Sequence, residues 1–378
     1  MAGTVSRVLI EDASVRGQER SRLEAAVARL GEGGGPGVVQ LVGQAGIGKS
    51  FLLGWLVDAA RERGFWIGVG RARELDGGPS FGVFAEGLEV LCSDREFTGV
   101  WRRLDADTRT ALGPIAPVLA GEQAAAGVGA YRVRRAMRLL LGALAARRPL
   151  LLALDDLHCA DEESLLLLAY LLDHLPAAPV LVAVGYRSPG LLARVAAALG
   201  TRPETIELGP LSREDARGVL PGVFDERAVG RLWAQSGGVP LYLRELARTA
   251  GHADMRAAQQ VAERGAGVPR VVVASVAEQL SELGEREDGD AAVRLLGAGS
   301  VLGQFCVRAA GEVAGLAEQE TLAALSVLIE GGLRLREPGG RFEFCHPMVR
   351  RAVSVRPGQT GAQPAEPEPR LQTQPVRV

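Results

Sequence analysis

The eight residues Gly43-Gln44-Ala45-Gly46-Ile47-Gly48-Lys49-Ser50 fulfil the pattern Gly-x-x-x-x-Gly-Lys-Ser, whose chemistry is the grip of a polyphosphate. The glycines let backbone N–H groups turn inward around phosphate oxygens, and a helix starting there adds partial positive charge. Lys49 is placed to set a point charge on β and γ phosphates, and the Ser50 hydroxyl to ligate Mg2+. Lys49 is also the only lysine: the other members of the 43 Lys and Arg residues are arginine, and asparagine is absent. This is the usage of a GC-rich gene, which pushes a dispensable lysine towards arginine. A lysine that persists among glycines sits where a compact ammonium fits between phosphates and a planar guanidinium does not.

A second constellation follows about a hundred residues later. Leu150 to Leu154 is a continuous apolar run that ends in Asp155-Asp156. A strand of this kind can deliver the Asp155 carboxylate to the magnesium ion through water. Asp156 has two readings, a group that orients or deprotonates an attacking water and an ordinary helix cap.

These side chains need a scaffold that brings strand ends together. Val38 to Val42 runs straight into the glycine loop, and the loop into an apolar helix carrying Phe51, Leu52, Trp55 and Leu56. Phe65 to Val69, Leu150 to Leu154, Val180 to Val184 and Thr205 to Leu208 are further strands, with helices over 18–30, 132–146 and 162–175. A flexible link over 31–37 is expected after the first helix. Continuously apolar strands alternating with helices indicate α/β architecture, a three-layer αβα core around a parallel sheet. After Gly209-Pro210 the patterns are helical only, with a break at Gly237-Gly238-Val239-Pro240. Short helices over 291–355 then precede two runs, 332–336 and 341–344, joined by Glu337-Pro338-Gly339-Gly340 as a hairpin, the layout of a winged-helix module. The expected division is 10–210 for the phosphate-binding core, 211–290 for a helical lid, 291–355 for the winged-helix-like part and 356–378 for a disordered, proline-rich tail.

Composition closes other doors. With 45 acidic against 43 basic residues the net charge is −2, so no overall field draws in nucleic acid or an anionic membrane. Four scattered cysteines without a Cys-x-x-Cys pair suggest neither zinc nor a disulfide scaffold. No apolar run reaches the length of a membrane span, and the expected location is the cytoplasm.

Val15-Arg16-Gly17-Gln18-Glu19, the glycine loop, the run from Leu154 to Asp161, Tyr186-Arg187, Gly237-Gly238-Val239-Pro240 and Phe344-Cys345-His346-Pro347 occur in the order seen in STAND signalling ATPases. The chain resembles the N-terminal ATPase part of the large ATP-binding LuxR-family regulators. The resemblance implies a P-loop NTPase that binds ATP or ADP with Mg2+ and hydrolyses ATP slowly as a signalling switch. It implies that Arg187 reaches the γ-phosphate, that Pro240 packs on the adenine and that His346 touches bound ADP in a closed state. Gln18 stands where these families usually carry arginine. The helical repeats and the DNA-binding helix-turn-helix of the large regulators find no counterpart here, so direct DNA binding is not expected. Self-association or a regulatory protein partner is. The competing expectation is an AAA or origin-recognition type ATPase acting on DNA or protein as an oligomer.

Overall fold

The structure is a computed structural model of the 378-residue chain. It describes residues 15–73, 80–120, 129–187, 203–252, 268, 270–286, 288–330, 335–336, 342–344 and 347–354. His346, the hairpin's turn and the expected tail lie outside the described residues.

Five parallel strands form the central sheet: β1 (Gly37–Val42), β2 (Trp66–Arg71), β3 (Leu150–Asp155), β4 (Val180–Tyr186) and β5 (Glu204–Glu207). They lie in the order β2-β3-β4-β1-β5. Strands β1, β3 and β4 are apolar at nearly every position because successive side chains enter different cores. Leu151, Ala153, Leu181 and Ala183 join Val39 and Leu41 on one face, whereas Leu150, Leu152 and Leu154 join Val180, Val182 and Val184 on the other. Register places Arg71 beside Asp155, Leu154 beside Val184 and Val42 beside Tyr186. The segments that follow β1, β3 and β4 therefore leave the sheet along one edge, the edge where open α/β sheets bind ligands.

Helices α1 (Gly17–Gly31) and α2 (Lys49–Glu62) cover the first face through Leu23, Val27, Leu30, Leu52, Leu56 and Ala60. The glycine stretch after α1 is not a loose link. Glu32 N donates to Ala28 O at 3.0 Å and Gly34 N to Arg29 O at 2.9 Å, so its first residues satisfy the carbonyls left open at the helix end.

The second face is covered by α3 (Gly82–Cys92), α4 (Arg95–Arg103), α5 (Ala106–Ala111), α6 (Pro117–Ala120), α7 (Ala130–Ala145) and α8 (Glu162–Asp173). Of these only α7 and α8 were expected from the sequence. Asp94 caps α4 by accepting from the N–H groups of Glu96 and Phe97, and Asp105 caps α5 through Thr108 N. Both short helices gain their fixed places from such caps and from Phe97, Val100, Trp101 and Ala111 in the core.

Beyond the sheet, α9 (Arg213–Val219), α10 (Glu226–Ser236) and α11 (Pro240–His252) enclose a separate small core of Leu211, Ala216, Val229 and Leu243, which also takes in Val15. Ser212 caps α9 by accepting from Asp215 N at 2.9 Å. Then come α12 (Arg270–Gly284), α13 (Gly289–Leu302), α14 (Val307–Ala314), α15 (Glu318–Glu330) and α16 (Pro347–Ser354). Their buried Val272, Leu280, Leu295 and Val349 continue the core of α1 and α2. The expected hairpin pairing is present, β7 (Leu335–Arg336) running antiparallel to β8 (Phe342–Phe344). A third strand, β6 (Gln304–Phe305), adds to β8; two residues carry no readable period in the sequence.

Candidate nucleotide-binding site

The glycine loop leaves β1 and enters α2 within a few residues. Gly48 caps the helix with a φ of +108° and Gly46 has a φ of +71°, conformations that side chains resist. Gly46 has a second constraint: a Cβ there would lie 2.6 Å from the Leu241 Cβ. Leu241 N donates to Gly46 O at 3.2 Å, so the first turn of α11 rests on the loop itself. Lys49 is 5% exposed, and its Nζ donates to the carbonyls of Gly43 at 2.8 Å and Gln44 at 3.1 Å. The ammonium is thus held within the curl of the loop, at the start of a helix.

Asp155 ends β3 and faces the loop. Its carboxylate accepts from the Ser50 hydroxyl and, through Oδ1, from Asp156 N at 2.9 Å. Gly185 on β4 makes room for it, since a Cβ there would come within 2.6 Å of Asp155 Oδ1. Burial, and then the Asp156 charge, hold the Asp155 carboxyl above its usual range, although the bonds from Ser50 and Asp156 N and the charge of Arg71 pull the other way. A cation beside Ser50 and Asp155 would relieve that penalty. The fit to Mg2+ is good, because this ion takes few protein ligands and keeps phosphate and water oxygens for the rest. Among the described residues no group of three or more His, Cys, Asp or Glu could hold a metal on protein ligands alone.

Asp156 sits in the left-handed region at φ 52° and begins a single 3-10 turn, Leu157–Cys159. Its side chain caps nothing there, so the helix-cap reading is not how the residue is used. Its Oδ2 instead accepts from Arg71, at 2.8 Å from Nε and 2.7 Å from the nearer terminal nitrogen. The capping acid is Asp161, which accepts from Ser164 N at 2.9 Å at the start of α8.

Sequence reasoning gave no role to three residues. Arg71 stands at the end of β2 in register with Asp155; only strand order, invisible in a pattern search, brings it there. His158 carries two ring nitrogens that are buried without a hydrogen bond. Its pKa is pushed down to about 4 by burial first and then by the Arg187 charge, with Asp156 opposing and Lys49 and Arg71 adding to the depression. Arg16 is 7% exposed. Its guanidinium donates to Ile47 O at 3.1 Å and Gly209 O at 2.6 Å and pairs with Glu19 at 2.9 Å, while its N–H donates to Asp215 Oδ1 at 3.1 Å. It ties the glycine loop, the end of the sheet and α9 together. The signal was present in the sequence as an arginine inside a quoted motif.

The remaining expected residues divide. Arg187 follows β4 at the same sheet edge, and its charge reaches His158. Pro240 is buried as the first residue of α11, next to Leu241 and the loop, where its fixed φ suits a helix start. A cavity of about 610 Å³ shares Arg71 with the site but lies towards Arg73, Glu86, Cys92, Cys159 and Asp161; no residue of the glycine loop lines it.

Residues 15–183 match the family model described as the AAA ATPase domain. No curated protein sequence matches the chain. Among solved structures, a Walker-type ATPase of Pyrococcus abyssi has a TM-score of 0.62 at 16% identity, over 91% of this chain and 96% of that one. Cdc6p from Pyrobaculum aerophilum has a TM-score of 0.47 at 14% identity, over 93% and 96% of the two chains. A signal transduction ATPase with numerous domains and a tetratricopeptide repeat sensor, from Pyrococcus horikoshii, has a TM-score of 0.38 at 16% identity, over 91% of this chain and 42% of that one. With a glycine loop between strand and helix and a strand-end acid on a five-stranded parallel sheet, the chain has the P-loop NTPase fold, and its residues 15–183 are similar to the AAA ATPase domain.

Proposed function

We propose that the chain is a nucleotide-dependent signalling switch that binds ATP or ADP and turns ATP over slowly. The observation that carries this reading is the bond from Leu241 N to Gly46 O. Because α11 rests on the phosphate loop, whatever the loop holds bears directly on the helical part beyond the sheet.

In this reading Lys49 and the backbone N–H groups of residues 43–50 hold the phosphates, and Ser50 and Asp155 hold the metal ion. Bound Mg2+ supplies charge neutralisation at the β and γ phosphates. Asp156 orients or deprotonates the attacking water, and Arg187 stabilises charge on the γ-phosphate. The ion pair with Arg71 engages the Asp156 carboxylate. Pro240 packs near the base, and His346 marks the closed ADP state. The order of motifs supports a more specific reading, kinship with the ATPase module of the large LuxR-family regulators, with output passed to a protein partner or through self-association. Absence of a net basic field supports action without direct DNA contact.

The test is nucleotide binding by calorimetry with Mg2+, together with turnover measured with and without DNA. Tight ATP and ADP binding with slow, DNA-indifferent hydrolysis is expected. Rapid turnover stimulated by DNA would replace the switch with an origin-recognition type motor, and no nucleotide binding at all would leave only a scaffold.

A further inference from the structure

The motif Asp155-Asp156-Leu157-His158 contains one side chain that the proposed chemistry leaves without a task. Leu157 is 1% exposed and anchors the 3-10 turn inward. Cys159 N donates to Asp156 O at 2.9 Å and Ala160 N to Leu157 O at 3.2 Å, so the backbone that carries His158 is fixed directly after the two acids. Both imidazole nitrogens are nevertheless buried and unbonded. Native proteins satisfy nearly all such groups, and each exception calls for an explanation, a catalytic role or a bound water or ion among them.

Its surroundings indicate what it would meet. The charges acting on it are those of Arg187, Asp156, Lys49 and Arg71. Three of the four are cations, and two of these, Lys49 and Arg187, are the groups assigned to the terminal phosphates. In the neutral state that burial first and then these cations favour, an imidazole still has one N–H to donate, so it can bond an anion without first gaining a proton.

We propose that His158 is a ligand of the terminal phosphate, donating a ring N–H to a γ-phosphate oxygen when ATP is bound and finding no such acceptor when ADP is bound. The proposal rests on the nucleotide reading above and deepens it, since it makes His158 a sensor that separates the two nucleotides.

The experiment compares Mg2+-dependent binding of ADP and of the slowly hydrolysed analogue ATPγS to the full chain, wild type and His158→Phe and His158→Gln, by calorimetry. For His158→Phe the expected result is an ATPγS affinity lower by about tenfold with ADP affinity unchanged, the size of one hydrogen bond to a charged group. His158→Gln, which keeps an N–H donor, recovers part of that loss. Without nucleotide His158→Phe melts no lower than wild type, because it removes two unsatisfied nitrogens. As a readout independent of the variants' folding, the imidazole resonances of His158, assigned by their loss in His158→Gln, shift when ATPγS is added to wild type and stay when ADP is added. An unchanged ratio of the two affinities with unmoved resonances overturns the proposal alone, as does an equal fall in both affinities. Wild type that binds neither nucleotide overturns the proposal and the nucleotide reading together.

Discussion

Lys49 and Asp155 make opposite demands on stability. The ammonium is satisfied by the carbonyls of Gly43 and Gln44 even before a phosphate arrives. Lys49→Ala is expected to abolish high-affinity ATP binding while leaving the circular dichroism spectrum unchanged. Lys49→Arg is expected to be nearly as harmful in the same calorimetric titration, because the curl of the loop is shaped for a point charge. Asp155 is a buried carboxylate whose charge is disfavoured. Between its ordinary value of 3.8 and its raised folded value, the native protein holds a proton that the unfolded chain has released. Stability therefore falls as pH rises through that window and stays lowered above it. Asp155→Asn should accordingly raise the melting temperature of the nucleotide-free protein at neutral pH and remove the Mg2+ dependence of ATP affinity; a lower melting temperature would show that the lost bonds to Ser50 outweigh the charge. At this scale the phosphate grip was legible because its chemistry is local in sequence. Arg71 was not, since it meets Asp156 across 85 residues and only through strand order.

Strands and loops explain why the rest was partly readable. The apolar runs of β1, β3 and β4 could be read because burial on both faces removes most polar residues, whereas β5, Glu204–Glu207, buries only Ile206. The helices over 82–111 could not, since none exceeds 11 residues and helices so short take their stability from the core they meet. The glycine loop shows the limit in another way. Its pattern announces phosphate, but nothing in the pattern announces that Leu241 will press against Gly46. Gly46→Ala is therefore expected to do more than a loop substitution usually does. Holding a side chain at φ 71° costs about 1–2 kcal/mol, and the added methyl displaces α11. Chemical denaturation should report a loss at least of that size, and nucleotide titration a weakened affinity. A variant with unchanged stability would mean that α11 yields freely.

Across the whole molecule Arg16 is the residue that joins parts distant in sequence, reaching Ile47, Gly209 and Asp215 from a buried position. Removing its guanidinium leaves two carbonyls without their donor. Arg16→Ala is expected to destabilise the protein by about 3 kcal/mol, as two buried charge-assisted bonds suggest, and to make limited proteolysis cut between the sheet and α9. A melting temperature within a degree of wild type would show that the tie is dispensable. The contact between α11 and the phosphate loop then acquires a meaning for regulation. Binding free energies are reciprocal: if filling the loop alters how firmly α11 is held, anything that grips α11 from outside must alter nucleotide affinity by the same factor. The helix is thus a handle as much as a cover, and a partner with no contact to ATP could set how long the nucleotide stays.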